Sequence, residues 1–161
     1  SQYKSIKTIN NIDIGAQQCS LGSFYCIDSN KTFFLLDAYN NQSIIDIIYY
    51  YTNNSSVLCS PAENDAPTIY TGNNGIYQWS IRNETRYCNT TLSITDFNNI
   101  NNDSLLISSY KQEQSKRKAK DLKSNNIISF KTHNNKLGLI KINSIDPSET
   151  GKINIDIKIQ Q

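Results

Sequence analysis

His133 is the residue with which a search for catalytic chemistry has to start, because it is the only histidine in the chain. It is followed by Asn134 and Asn135 in a segment typical of a hairpin turn. A nucleophile–base pair needs a partner group held within hydrogen-bond distance, and the sequence nominates no partner and contains no GxSxG element. We therefore interpret His133 as an exposed turn residue and predict that the chain is not an enzyme.

Paired carboxylates are a second catalytic option. Asp46 lies inside the apolar segment Ile44–Tyr51, where an unpaired charge is costly. We expect it to have a basic partner such as Arg82, Arg86 or a lysine, or to face solvent at a strand edge. A glycosidase-like pair with Asp37 would need a cleft between the two carboxyl groups, and the sequence does not indicate one.

The four cysteines have no zinc-ligand spacing, since no CxxC pair occurs and the single histidine is distant in sequence. Two interpretations remain open: disulfides formed in an oxidising compartment, or buried reduced thiols. We predict at least one disulfide and prefer the pairs Cys19–Cys26 and Cys59–Cys88, of which the first would close a short loop across Gly22. Asp28–Asn30 begins like a calcium loop but lacks its later acidic positions, so we predict a turn there, with no metal and no cofactor.

A basic stretch follows the middle of the chain and consists of Lys116, Arg117, Lys118, Lys120 and Lys123. It could bind phosphate or an anionic polymer, but Glu113 and Asp121 interrupt it and no aromatic residues interleave with it. We interpret it as a solvated helix face or a mobile loop. The net charge of +2 likewise gives no argument for nucleic acid or an anionic membrane as a partner.

Aromatic residues give the strongest binding signal, because they cluster around the Pro- and Gly-containing loop 61–75. The four residues are Tyr70, Tyr77, Trp79 and Tyr87. Tyr and Trp combine a flat apolar face with a polar tip, which suits contact with a glycan or a protein. Packing beneath the loop would account for the same residues. Several Asn-x-Ser/Thr sequons also occur, but an Asn-rich chain produces them by chance; examples begin at Asn41, Asn54, Asn83, Asn89 and Asn102.

The pattern of apolar residues predicts an α+β fold made mainly of antiparallel strands, with one or two helices between about 93 and 123. Lys152–Gln160 alternates between isoleucines and polar residues, which is typical of a half-buried strand. Ile127–Thr132 and Leu137–Ile145 are also expected to be strands, and Ile44–Tyr51 a central strand covered on both faces. Ile76–Ile81 is expected to be a short strand.

The domain organisation expected from the sequence is a flexible arm over residues 1–11 and a single β-rich domain over 12–161. No apolar run reaches the length of a membrane span. Ser1 as first residue, no methionine and no signal-like segment suggest a mature or trimmed fragment.

Segments distributed from residue 12 to 160 resemble a family of uncharacterised exported proteins, often lipoproteins, from Bacteroidetes. The segments are Ile14–Gln17, Gly22–Phe24, Asp37–Ala38, Ile45–Tyr51, Ser60–Pro61, Trp79, Asn83–Arg86, Asp96–Phe97, Phe130–Thr132, Leu137–Lys141 and Ile155–Gln160. The resemblance implies an exported domain at the cell surface or in the periplasm. It implies no activity, and it suggests that the cysteines are a local addition rather than a family feature.

We therefore predict a non-enzymatic, exported module that binds a glycan or a protein partner through the region Tyr70–Tyr87. The alternative is a structural subunit of an extracellular assembly, such as a filament, an adhesin or a virion. Self-association by exchange of the N-terminal arm or the C-terminal strand would suit that alternative.

Overall fold

Short alternating apolar segments form ten strands in the computed structural model, which describes residues 2–161. In chain order the strands are β1 (Ile6–Gly15), β2 (Phe24–Cys26), β3 (Lys31–Phe33), β4 (Ile47–Thr52), β5 (Ser55–Cys59), β6 (Arg86–Asn89), β7 (Lys118–Ala119), β8 (Ile127–Lys131), β9 (Leu137–Ile145) and β10 (Lys152–Gln160). The helices are α1 (Leu35–Tyr39), α2 (Ala66–Ile69), α3 (Ile94–Asn98) and α4 (Ser104–Ser109). Three single turns of 3₁₀ helix cover Gln42–Ile44, Ile76–Gln78 and Gln112–Gln114.

The strands form two antiparallel sheets of five strands each. Sheet A has the order β1-β10-β9-β8-β6, and sheet B has the order β3-β2-β4-β5-β7. The sheets are joined at one edge, where Lys116 and Tyr87 exchange two backbone hydrogen bonds of 2.7 and 2.9 Å. The α+β class, dominated by antiparallel strands with few helices, is confirmed.

The main core lies between the two sheets and is built by period-two alternation. On β10 the buried residues Ile153, Ile155, Ile157 and Ile159 all face it. On β4 the alternation serves two cores, because Ile47 belongs to the central core and Ile48 to the core on the outer face of sheet B. The prediction of a central strand covered on both faces is thus confirmed for β4.

The outer face of sheet A is covered by the two helices α3 and α4. Phe97 and Leu106 from these helices pack on Ile127 and Leu139 of the sheet. A capping box fixes the start of α3, since the Ser93 side chain accepts from Asp96 N and the Asp96 carboxylate accepts from Ser93 N. Both helices lie in the interval 93–123, as the sequence predicts.

The outer face of sheet B is covered by short irregular segments instead. Helices α1 and α2 and the turn Ile76–Gln78 supply the side chains that pack on Phe24, Ile48 and Tyr50. The strand predicted over Ile76–Ile81 does not form. Gly75 and Gly72 bend the chain there, and the backbone closes a 3₁₀ turn in which Trp79 N donates to Ile76 O.

The predicted flexible arm over residues 1–11 overlaps β1, which begins at Ile6. Ser1 lies outside the described residues, but Ile6 to Gly15 pair with β10 along their length. Ile9 and Ile12 are buried in the central core, and a bulge at Asn10–Asn11, with Asn11 at a φ of 57°, keeps both isoleucines on the inner face. The polar residues between them concealed the alternation that a strand requires.

Candidate functional site

The four aromatic residues predicted to form a contact surface differ in how much of each side chain is exposed. Tyr70, Trp79 and Tyr87 are only 5%, 4% and 2% exposed, whereas Tyr77 is 63% exposed. Tyr87 faces the central core, and Tyr70 and Trp79 belong to the core outside sheet B. The predicted surface therefore does not exist as a set, and packing beneath the loop accounts for three of its four members.

Tyr70 and Trp79 fasten the loop 61–75 to sheet B. The Tyr70 hydroxyl donates to the backbone oxygen of Tyr49, and Trp79 Nε1 donates to Asn74 O at 3.0 Å. Both rings pack on Phe24, with centroid distances of 4.7 Å to Tyr70 and 5.6 Å to Trp79. These polar tips are thus used inside the protein and are not available to a ligand.

An open groove with an uncharged lining lies beside this cluster, and we call it the Phe34 groove. It has a volume of about 450 Å³. Its walls include Leu21, Phe34 and Leu36, which are 37%, 54% and 56% exposed, and Tyr70 lies in its floor. The residues that line it are all uncharged: Gln17, Cys19, Leu21, Ser23, Phe24, Phe34, Leu35, Leu36, Ile69, Tyr70 and Thr71.

The local sequence explains why two large apolar side chains remain outside. Helix α1 is a single five-residue segment, so only positions three or four apart share a face. Ala38 is buried and Leu35 and Tyr39 pack on the core beside it, which directs Leu36 outward. Phe34 occupies the position before the helix in extended backbone and makes no capping hydrogen bond.

Asp46 is buried, but its partner is not one of the predicted basic residues. Its carboxylate accepts from Ile27 N at 2.8 Å, and Oδ1 lies 3.8 Å from His133 Nδ1. Burial, with a smaller contribution from the nearby Asp28 charge, raises the pKa of Asp46 to about 6. Burial also lowers the pKa of His133, against an opposing effect of Asp28. The predicted partners are engaged elsewhere, Arg82 with Tyr77 O and Arg86 with Glu84 and Ser115.

The other carboxylate considered for catalysis does not join the Asp46–His133 pair. His133 lies in the turn after β8 as predicted, and its ring is partly covered. Asp37 is exposed on α1 while Asp46 is buried before β4, so the two carboxyl groups do not share an environment. Among residues 2–161, no group of three or more His, Cys, Asp or Glu side chains is placed to hold a metal ion.

The basic stretch forms an extended segment rather than the helix face or loop considered from the sequence. Lys118 and Ala119 form β7 against β5. Lys118 Nζ lies 3.1 Å from Glu63 and 2.6 Å from Asp65.

The cysteines are free thiols, so the predicted pairs Cys19–Cys26 and Cys59–Cys88 do not form. Cys59 lies on sheet B within its outer core, where burial raises the pKa of the thiol. Cys88 lies on sheet A and its thiol donates to Lys111 O at 3.1 Å. Because the two residues belong to different sheets, their spacing in sequence did not indicate proximity.

Two further observations bear on surface chemistry. Among the sequon asparagines named above, Asn83 is buried and its amide donates to Ser43 O and Ile45 O, which makes it structural. No helix within residues 2–161 is long and apolar enough to cross a membrane.

Comparison with solved structures finds a similar fold in the crystal structure of a DUF4466 family protein from Parabacteroides merdae. The TM-score is 0.69 at 14% sequence identity, and the match covers 98% of this chain and 54% of that chain. The chain thus spans about half the length of its structural neighbour, and at this identity the likeness shows the fold alone. The neighbour represents an uncharacterised Bacteroidetes family, in agreement with the resemblance seen in the sequence. No family model matches the chain, and no curated protein matches it either.

Proposed function

We propose that this chain is a non-enzymatic, exported module that binds a protein partner through the Phe34 groove. The observation that carries the proposal is the exposure of Phe34 and Leu36 on the rim of a groove of about 450 Å³. Large apolar side chains that remain solvent-exposed beside a concave surface are typical of contact sites. Export rests on the sequence resemblance to exported Bacteroidetes proteins.

The chemistry of the groove favours a protein over a glycan. A glycan site usually presents a flat aromatic face together with free polar groups, and here Trp79 and Tyr70 are buried and their polar atoms are engaged. The lining carries no charge. The occupant that complements it is an uncharged segment of another protein with aliphatic or aromatic side chains.

The experiment selects a random displayed peptide library on the immobilised chain and measures the affinity of the selected peptides by fluorescence anisotropy. Peptides rich in Leu, Ile, Val and Phe are expected. Their Kd should be weakened at least about tenfold by the double substitution Phe34→Ser/Leu36→Gln, since apolar anchors dominate such contacts.

The matched control is Ile107→Gln, because Ile107 is 45% exposed on α4, which packs on the other sheet. It should leave the Kd unchanged. A library that yields no binding peptide, or peptides that bind the double variant as well as the wild type, would overturn the proposal.

A structural subunit remains the second candidate, and β1 is the observation that favours it. This N-terminal strand lies at the edge of sheet A and pairs with one strand only, β10, although its isoleucines also pack in the central core. Removing it would uncover a strand with four core isoleucines, so the β1 of a second copy could pair there instead. The assembly would then be joined by exchanged strands.

Strand exchange can be detected with one cysteine on each strand. Asp13 and Asn154 are opposite each other on β1 and β10. The single variants Asp13→Cys and Asn154→Cys, both made with Cys19→Ser, are mixed, unfolded, refolded and oxidised. A disulfide between the two different chains supports exchange. A disulfide seen only when both cysteines are in one chain excludes exchange, and light scattering supplies the mass.

A further inference from the structure

The extended segment around β7 presents a row of lysines on one side. The backbone of Lys116 is hydrogen-bonded to that of Tyr87 in sheet A, and Lys118 lies opposite Cys59 in the strand pairing of sheet B. Ser115 and Ala119 are buried, Lys118 is partly buried, and Lys116 and Lys120 are exposed; Arg117 is also exposed but is paired with Glu84. Residues two apart on a strand are spaced by roughly 7 Å, so three lysines follow one another along the outer face.

These lysines line a hollow of about 190 Å³ together with two carboxamides. The polar side chains around it are Asn89, Gln114, Lys116, Lys118 and Lys120. They come from three separate parts of the fold: the end of β6, the 3₁₀ turn at 112–114, and β7 with the residues beside it. None of the residues that line this hollow carries a carboxylate.

The hydrogen-bonding capacity of these groups is largely unused. Lys118 is held by Glu63 and Asp65. In the part of the chain that the structure describes, Lys116 and Lys120 have no carboxylate within 4.0 Å of their ammonium groups. The side chains of Asn89 and Gln114 also make no hydrogen bond within residues 2–161. Two lysines without a carboxylate partner and two carboxamides therefore line one small concave surface.

We propose that this hollow binds a single oxyanion group, a phosphate or a sulfate, either free or carried by a sugar. Such a group offers several acceptor oxygens in a compact volume, which suits donors arriving from several directions, and lysine binds phosphate as a point charge. A long anionic polymer fits less well, because the adjoining hollow contains Asp65 and Asp121 and the positive field is confined to a few residues.

The test is a two-dimensional amide NMR titration of the whole chain at low ionic strength with three probes: inorganic phosphate, glucose 6-phosphate and glucose. Phosphate should give saturable shifts at residues 114–120 and at Asn89, and glucose should give none. Tighter binding of glucose 6-phosphate than of phosphate would identify a sugar-borne group, and equal binding would identify the oxyanion alone.

The variant is Lys116→Gln/Lys120→Gln, and the matched control is Lys7→Gln/Lys136→Gln, which removes two exposed lysines from elsewhere and changes the net charge equally. The first should weaken phosphate binding by about fivefold, which is what loss of exposed charge pairs amounts to. The control should bind as the wild type does. Equal weakening in both variants, or shifts that do not saturate and spread over all exposed lysines, would overturn the site.

Discussion

The outer faces of the two sheets are covered in different ways. Helices α3 and α4 close the outer face of sheet A, and the ammonium group of Lys158 reaches through that cover to the carbonyl oxygen of Phe97 at 2.7 Å. On sheet B, the short helices α1 and α2 are joined in the cover by 3₁₀ turns and a long loop.

The exposed apolar side chains follow this division. Of the eight large apolar side chains exposed within residues 2–161, six lie in the segments 21–44 and 77–81, which contain or adjoin the cover of sheet B; they are Leu21, Phe34, Leu36, Ile44, Tyr77 and Ile81. Helices α3 and α4 have five and six residues and are about as short as α1 and α2, so the difference lies in the long loop and the 3₁₀ turns that complete the cover of sheet B. The irregular cover is therefore where contact with a partner is expected.

The largest effect should come from removing the ring that fastens the irregular cover. Trp79→Ala deletes a side chain that is 4% exposed and packs on Phe24, so we expect the free energy of unfolding to fall by about 3–5 kcal/mol. Tyr77→Ala, two residues away and 63% exposed, should change it by less than about 0.5 kcal/mol. Urea denaturation measures both. Similar values for the two variants would show that Trp79 does not hold the cover.

Substituting Asp46 probes the contact between the two sheets rather than either cover. Asp46 precedes β4 in sheet B and faces His133 in the turn after β8 of sheet A. Its pKa is raised to about 6 in the folded protein, above the usual value, so the folded state binds the proton more tightly. Stability from this group is fully present below pH 4 and is lost as pH rises to about 6. The loss should total about 2–3 kcal/mol.

Asp46→Asn should remove this pH dependence, since the amide oxygen still accepts from Ile27 N. Burial lowers the pKa of His133, so that residue acts in the opposite sense and destabilises the folded state as pH falls through its usual range. The experiment is therefore repeated with His133→Gln, and Asp37→Asn serves as the exposed control. The prediction is contradicted if the unfolding free energy of the His133→Gln variant, which keeps Asp46, does not fall between pH 4 and 6.

Lys158 tests the helical cover. Its ammonium group also lies 3.4 Å from Asn98 O and 3.3 Å from Ile100 O, and it is 4.9 Å from the centre of the Phe97 ring. Lys158→Met keeps the apolar stem but leaves these carbonyls without their donor, which should cost about 1–2 kcal/mol and speed amide exchange at residues 97–100. The control Lys152→Met, on the same strand but exposed, should change neither. Unchanged exchange in Lys158→Met would mean that the lysine does not hold α3.

The two covers also differ in how well the sequence predicted them. The bounds of β9 and β10 follow from the sequence because period-two alternation is a local property. The start of α3 follows from Ser93 and Asp96 for the same reason. The burial of Tyr70 depends instead on Tyr49, 21 positions earlier in the chain, and no local pattern carries that information.

The Phe34 groove was missed although its signal was present. Phe33–Leu36 is an apolar run in the sequence, but only the helical spacing of Leu35, Ala38 and Tyr39 shows which of these side chains face inward. A five-residue helix is too short for that periodicity to be distinguished from a strand. The lysine hollow was missed because the charged stretch was interpreted as a helix or a loop, whereas an extended segment places every second lysine on one side.

The smallest change in the free energy of unfolding is expected for substitutions in the Phe34 groove, in contrast to the large change expected for Trp79→Ala. Phe34→Ser replaces a half-exposed ring at the position before α1 with a residue that can cap the helix. Leu36→Gln exchanges one exposed helix-forming side chain for another. Together they should shift the free energy of unfolding by no more than about 0.5 kcal/mol while reducing the binding of a hydrophobic dye to the folded protein. A loss comparable to that of Trp79→Ala would show that Phe34 and Leu36 are part of the cover, and that sheet B is closed as completely as sheet A.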